Sequence, residues 1–560
     1  MYDPRVRRLL ILVGILVAAG VATLSAAPAQ APAPAPASDV RLTILYTGDL
    51  HGRVHPVDAL ADADLGEGLA RVAASVKAIR AEGRPVLLLD SGDTIQGSPE
   101  QALAFASGKE AADPIIGAMN LMGYDAMTVG NHEFDFGVER LDASQRQSKF
   151  PWLSANTLML GDRQAFPPYV VKEIGGVRVG ILGLTTTGTP NWVSPSLLEG
   201  LRFVQPLAVA RHRVSQLREQ ERCDFVIILT HQGFERDPKT GQPRGGASGE
   251  NQAYALATKV PGVDLVLSGH AHVVVAPQRV GPVWVAAPGR WGEALIRLDV
   301  AFEKAGESAP WRLGGVQGKS LPMKNVVPDP GVVAAVAASH EATMKVLAVK
   351  LTELAAPASA GGARTRPRME DSGIVDWLHR VQLAETKADL SFASPLAFQP
   401  VEWEAGPLSM RQVWQFYPYE NSLVTVRATG RIVREALERS AECMSDPDEK
   451  PRSCDSLEGA EYEIDLSRPP RQRVVFLRRG GREVRDDDVF TVALNSHRAS
   501  GGGGYGMWKR AEKVAEKGNV RQMLVSDARA HPRLTLEPTG NWKVTGARGP
   551  ETVAKPNRNP

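Results

Sequence analysis

Asp, His and Asn side chains recur along this chain in short segments whose composition suits the binding of metal ions. Asp49 and His51 stand in Gly-Asp-Leu-His, Asp93 in Asp-Ser-Gly-Asp-Thr, and Asn131 and His132 in Gly-Asn-His-Glu. His231 stands in Thr-His-Gln-Gly, and His270 and His272 in Gly-His-Ala-His. Imidazole, carboxylate and amide oxygen without thiolate make a donor set for borderline divalent ions such as Mn, Co or Zn. Asp93, central in the set and with two oxygens to share, is the natural bridge between two such ions. A pair of ions polarises a phosphoryl group and lowers the pKa of a water between them. The chemistry indicated is hydrolysis of phosphate esters.

One histidine after a strand is usually a hydrogen-bonded structural residue, so the weight rests on the whole set. Each segment follows a short apolar run, at 42–46, 86–89, 126–129, 225–229 and 263–267. A further run lies at 177–184, and helical patterns occupy 68–82 and 207–218. Strands alternating with helices argue a layered α/β domain. In such sheets the loops past the carboxyl ends of the strands converge on one crevice. Five of the eleven histidines fall in these segments, and such a convergence on one edge reads as a site.

At 560 residues the chain is too long for one core. An Ala/Val/Leu-rich helix is expected over 331–354, followed by the breaker-rich stretch 357–367. The resulting division is a signal peptide (1–29), an Ala/Pro linker (30–40), a first domain (41–325), a helical connector (326–367), a second domain (368–546) and a disordered tail (547–560). In the second domain a helix is expected near 374–384 and a strand at 423–427. Arg5, Arg7 and Arg8 precede an apolar run over 9–24 and then Ala27-Pro28-Ala29, the order of a secretory signal peptide. An uncleaved membrane anchor is the alternative, and either reading places the chain in the periplasm or cell envelope. Lys plus Arg (65) nearly balance Asp plus Glu (63), which disfavours a nucleic-acid polymer as partner and leaves a small anionic substrate open. Cys443 and Cys454 flank a polar stretch and could close a disulfide loop, whereas Cys223 reads as a core thiol.

The order of these metal-type segments resembles the calcineurin-like metallophosphoesterases and, more narrowly, the 5′-nucleotidase family, over nearly the whole chain beyond the signal peptide. The resemblance implies a β-sandwich flanked by helices, joined by a helix to a smaller α/β C-terminal nucleotidase domain. A monomer is expected. It implies that Asp49, His51, Asp93 and His272 hold one ion and that Asp93, Asn131, His231 and His270 hold the other. His132 would then protonate the leaving oxygen, oriented by Asp135. Residues 92–99, Glu250-Asn251, 260–264, His272, 288–292 and 391–395 are similar to the branch containing 2′,3′-cyclic-nucleotide 2′-phosphodiesterase/3′-nucleotidases.

A nucleotide base needs an aromatic face. The family resemblance assigns one to Tyr419, within Tyr-Pro-Tyr-Glu-Asn, and a second to the segment ending in Tyr505, where His497 replaces the usual Phe or Tyr. The four glycines at 501–504 lack the setting of a phosphate loop, so they read as flexibility or close approach. The function expected is hydrolysis of 2′,3′-cyclic nucleotides and 3′-nucleotides. The rivals are a 5′-nucleotidase or UDP-sugar hydrolase, and an envelope nucleotide-binding protein without turnover.

Overall fold

The strand Phe225–His231 is buried along its entire length, as parallel strands covered on both faces are. It pairs in parallel with Val177–Thr185 and with Leu265–Ser268. Val283–Pro288 adds in parallel to Leu265–Ser268, and antiparallel strands Tyr169–Ile174 and Val274–Val280 close the two edges of a six-stranded sheet. A second six-stranded sheet has Ser38–Thr47, Val86–Asp90, Ala126–Thr128 and Trp152–Leu153 in parallel, continued by the antiparallel strands Ala294–Lys304 and Arg312–Pro322. The computed structural model that shows this arrangement describes residues 38–108, 110–244, 249–306, 309–360, 369–397, 400–446 and 454–546. The expected signal peptide, most of the Ala/Pro linker and the C-terminal tail lie outside the described residues.

The inner faces of the two sheets meet in one apolar layer that includes Ile44, Leu87, Ile181, Ile227, Leu267 and Ile296. Helices Leu69–Arg80, Pro99–Ala106 and Pro114–Met122 cover the outside of one sheet, and Pro206–Glu219 and Ala253–Lys259 cover the other. The N-terminal domain is thus the expected β-sandwich between helical layers.

The connecting helix runs from Pro330 to Leu347, with Asp329 accepting the backbone N–H groups of Gly331 and Val332. An acceptor at this position followed by Pro is a strong helix start. Its buried residues Val332, Val336, His340, Thr343 and Leu347 form one stripe. The sequence expectation carried this helix to residue 354, but it stops at Leu347, and Lys350–Leu354 is a strand paired with Gly406–Ser409 and Arg533–Leu534. Thr352 and Leu354 are buried on alternate positions there, so pairing with a distant partner overrides the helical propensity. The C-terminal domain therefore starts earlier in the chain than the breaker-rich stretch suggested, and residues 361–368 lie outside the described set.

The C-terminal domain has a five-stranded sheet ordered Ser456–Glu458, Leu390–Ala393, Val489–Asn495, Ser422–Thr429, Glu512–Asn519. Helices Gly373–Thr386 and Val520–Ala530 pack into one apolar cluster, and Gly430–Ser445 packs into another. The first of these clusters crosses the domain boundary and takes in Ala59, Leu60, Ala102 and Leu103. Cys443 and Cys454 are disulfide-bonded, with Cα atoms 5.5 Å apart, and Cys223 is a buried free thiol.

A cross-link over 11 residues restricts the unfolded chain by about 3 kcal/mol. The double variant Cys443→Ser/Cys454→Ser should move unfolding of the C-terminal domain to lower denaturant by that free energy. The N-terminal transition should stay in place, as followed by denaturant titration of the oxidised protein.

Candidate metal centre

The five strands deliver their donors at or just past their carboxyl ends, His231 as the last residue of its own strand. The backbone is left-handed at Asp49 (φ 51°), His51 (φ 50°), Asp93 (φ 54°), His270 (φ 72°) and His272 (φ 57°). Non-glycine residues rarely take this conformation, which costs about 1–3 kcal/mol each and collects at functional sites. It persists here because the loops are laced together. The N–H of Asp49 donates to Gly92 O (2.9 Å), that of His51 to Asp93 O (2.9 Å) and that of Trp291 to Asp49 O (2.8 Å). Gly130 lies so close beneath Asp93 that a Cβ there would come within 2.3 Å of Asp93 Oδ1.

The donors gather in two groups, Asp49 with His51, Asp93 and His272, and Asp93 with His231 and His270. Asp93 belongs to both. His51 Nε2 and His272 Nε2 approach to 3.0 Å, and His272 Nε2 lies 3.4 Å from Asp49 Oδ1. His231 Nε2 lies 3.0 Å from Asp93 Oδ2. A carbonyl oxygen can only accept, so the ring tautomers follow from the neighbours. His51 Nδ1 donates to Gln96 O (2.9 Å) and His231 Nδ1 to Ser91 O (2.7 Å). Such contacts orient an imidazole for ligation and leave Nε2 as the binding atom. Burial and the adjacent His272 lower His51 to about 3, and burial and the adjacent His231 lower His270 to about 3. Both rings are held neutral, with lone pairs available.

Asn131 sits beside these groups, 1% exposed, and among the described residues neither its amide oxygen nor its amide nitrogen has a hydrogen-bond partner. A buried amide without partners is costly, and a cation beside its oxygen would remove the cost. Donor types, shared carboxylate and orphaned amide together fit a pair of divalent ions.

His132 stands next to the donors. Its N–H donates to Asp93 Oδ1 (2.8 Å), and its ring Nδ1 donates to Asp135 Oδ2 (2.7 Å). Burial disfavours the imidazolium, but Asp135 and Asp93 outweigh it and raise the group to about 10. The ring is thereby oriented with Nε2 left for chemistry.

The C-terminal candidates fare differently. Tyr419 is half-buried, packs against the apolar cluster of the C-terminal domain and accepts at its carbonyl oxygen from Arg521 (3.3 Å). Tyr505 has no open face to offer a base. It is fully buried, exchanges a hydrogen bond with Ser440 (2.8 Å) and accepts from Asp455 N (3.0 Å). The turns after residue 500 fold its ring into the domain core instead of presenting it. His497 faces the centre, but its ring is stacked on Trp192 at 4.9 Å. Gly502 presses against the same ring, so closely that a Cβ would lie 2.0 Å from His497 Cε1. The glycines thus serve close approach, and His497 is occupied by protein contacts instead of being open to a base.

Two residues escaped the sequence reading. Glu133, 0% exposed, accepts from the backbone N–H groups of Asp93 (2.9 Å), Thr94 (2.6 Å), Ile95 (3.3 Å) and Gly130 (2.6 Å). A carboxylate beside a donor pair in Gly-Asn-His-Glu was the available signal. Trp192, in a loop after Val177–Thr185, carried none.

A family model for calcineurin-like phosphoesterases matches residues 42–274, and one for the 5′-nucleotidase C-terminal domain matches residues 347–510. The 2′,3′-cyclic-nucleotide 2′-phosphodiesterase/3′-nucleotidase of Salmonella typhimurium is 27% identical, over 83% of this chain and 82% of that protein. The trifunctional nucleotide phosphoesterase protein of Bacillus subtilis is 25% identical over 92% of this chain, which spans only 39% of that protein's length. Among solved structures, a Staphylococcus aureus protein described as a 5′-nucleotidase shares the fold, with a TM-score of 0.81, 24% identity and coverage of 90% of this chain and 100% of that one. Fold and site define a metal-dependent phosphoric ester hydrolase with a calcineurin-like phosphoesterase domain. That domain is followed in the chain by a 5′-nucleotidase C-terminal domain.

Replacing Glu133 by Gln turns an acceptor of four N–H groups into one that must point an N–H₂ at donors. Glu133→Gln should lower affinity for Mn²⁺ by roughly 10–100-fold, the range seen when a group supporting a ligand is lost. Calorimetric titration of the metal-free chain checks this, and unchanged affinity would show that Glu133 does not hold Asp93 in place.

Proposed function

We propose that this protein hydrolyses nucleotides outside the cytoplasm, opening 2′,3′-cyclic nucleotides to 3′-nucleotides and then removing the 3′-phosphate. The observation that carries the reading is the pair of donor groups sharing Asp93, with His132 beside them and the C-terminal domain meeting the centre at His497. Asp49, His51, Asp93 and His272 would hold one divalent ion, and Asp93, Asn131, His231 and His270 the other. Mn, Co or Zn suits these donors. Such ions polarise the phosphoryl group and make water a nucleophile at neutral pH.

The remaining steps fall to the chain. With Nδ1 committed to Asp135, His132 carries its transferable proton on Nε2 and delivers it to the sugar oxygen as the P–O bond breaks. In the first turnover that oxygen is the 2′ oxygen of the cyclic ester, and in the second it is the 3′ oxygen. Tyr419 offers the base a face, at about 1–3 kcal/mol. The name of the Salmonella typhimurium relative supports this substrate choice. Export is supported by the basic and apolar N-terminus and by the Cys443–Cys454 bond, since disulfides persist in oxidising compartments.

With Mn²⁺ present, kcat/KM should be highest for 2′,3′-cAMP and 3′-AMP in a panel that also contains 5′-AMP and UDP-glucose. Dominant turnover of 5′-AMP would overturn the substrate choice and leave the metal chemistry standing. His132→Ala should lower kcat by roughly 10²–10⁴-fold while the bound metal, measured by elemental analysis, stays at the parent level. Asp93→Asn should lose both metal and turnover, and full activity in that variant would overturn the assignment of two ions.

A further inference from the structure

Trp192 touches three groups that belong to different parts of the molecule. The face of its indole stacks on His497 of the C-terminal domain, with centroids 4.9 Å apart and planes 27° apart. Its edge meets His270, with centroids 5.9 Å apart and planes at 90°. Its Nε1 donates to Glu250 Oε2 (3.4 Å), and Glu250 Oε1 lies 4.0 Å from His270 Nε2. Glu250 is itself held, because its carbonyl oxygen accepts from Thr186 Oγ1 (3.0 Å) on the loop that carries Trp192. A carboxylate and an indole edge therefore border the same imidazole, and both are fixed from one loop.

His497 has little freedom to seat elsewhere. Gly502 presses on its ring, and Asn495 accepts the N–H of Arg498 (2.8 Å) to fix the turn that presents it. Arg498 is in turn locked to the buried Asp455 by two bonds, from Nε to Oδ2 (2.7 Å) and from the second guanidinium nitrogen to Oδ1 (2.8 Å). A shift of the C-terminal domain would thus move His497 as a rigid part and withdraw it from Trp192. Among the described residues, further contacts cross the boundary beside it, from Ser194 Oγ to Glu516 (3.1 Å) and from Lys509 Nζ to Asn191 Oδ1 (2.5 Å). Asn191 and Ser194 flank Trp192 in sequence.

We propose that Trp192 is a positioning residue which, with Glu250, couples seating of the C-terminal domain to the orientation of His270. It touches no reacting atom. It acts by holding the imidazole of one metal donor in place when His497 is stacked on it. The inference rests on the reading of His270 as a metal donor. Contact with the C-terminal domain then tunes metal affinity, although all the donors come from the N-terminal domain.

The test is calorimetric titration of Mn²⁺ into the metal-free full-length chain without substrate, for the parent, Trp192→Ala, Trp192→Phe, Glu250→Gln, His497→Ala and the double variant Trp192→Ala/His497→Ala. Trp192→Ala and Glu250→Gln should each weaken one of two Mn²⁺ steps by about tenfold and leave the other. Trp192→Phe keeps a ring against His497 but loses the donor to Glu250, and should weaken the same step. It also serves if the alanine variant folds poorly. His497→Ala, which contacts no metal donor, should weaken that step too, and the double variant should bind no worse than Trp192→Ala alone. Parent-like affinity in the Trp192 variants, or losses that multiply in the double variant, would overturn the coupling and leave the metal centre intact. A parent chain that binds no Mn²⁺ would instead overturn the metal reading on which the coupling depends.

Discussion

Asp49, Asp90, Asp93 and Glu133 are buried together at the ends of the central strands, each no more than 1% exposed. Burying carboxylates in such number is costly unless every one is hydrogen-bonded or neutralised. Two of them are answered from within. Asp90 accepts from Thr47 Oγ1 (2.7 Å), Gly92 N (2.8 Å) and Thr94 Oγ1 (2.9 Å), while burial raises it to about 6. Glu133 takes backbone N–H groups from two loops. Asp49 and Asp93 also accept a backbone N–H each, from His270 and His132. Burial keeps His51 and His270 neutral, whereas Asp93, 3.0 Å from His231, raises that imidazole to about 9 in spite of its burial. Divalent cations are suited to take over this balance of charge. The sandwich is the scaffold that makes this concentration of charge tolerable.

The backbone carries a cost of the same origin. Left-handed residues at Asp49, His51, Asp93, His270 and His272 are unfavourable singly and would relax in a flexible loop. They are held by strands buried on both faces and by hydrogen bonds from one loop to the next. Strain and charge are thus stored at the same edge, and the apolar layer between the sheets opposes both.

What was legible in the sequence follows from locality. The strands before Asp49, Asp93, Asn131, His231 and His270 are apolar runs that end in donors, so run and donor are adjacent in the chain and their sheet edge could be inferred. The helix at Pro330–Leu347 was legible at its start, where Asp329 and Pro330 act within one turn. Its end was not, because Lys350–Leu354 becomes a strand only through Gly406–Ser409 and Arg533–Leu534. Tyr505 failed for the same reason. The family resemblance put it in a base-binding segment, but its hydroxyl is claimed by Ser440 and Asp455, which lie far off in sequence. Trp192 had no local signature, since its meaning lies in His497, His270 and Glu250.

The candidate metal donors and the proposed base contact are divided along the chain in a way that separates two kinds of change. The donors all precede residue 273 and rest on one sandwich, whereas Tyr419 follows the connecting helix and packs against the core of the C-terminal domain. That helix packs Val332 and Val336 into the N-terminal core, while Leu347 at its far end belongs to the core of the C-terminal domain. On the proposed function, this one helix joins the domain of the reaction to the domain of recognition. A replacement in the C-terminal domain can alter what is recognised without unbalancing the buried charges, provided the boundary contacts survive. Where they do not, as at the stack of His497 on Trp192, the same replacement reaches the metal centre as well.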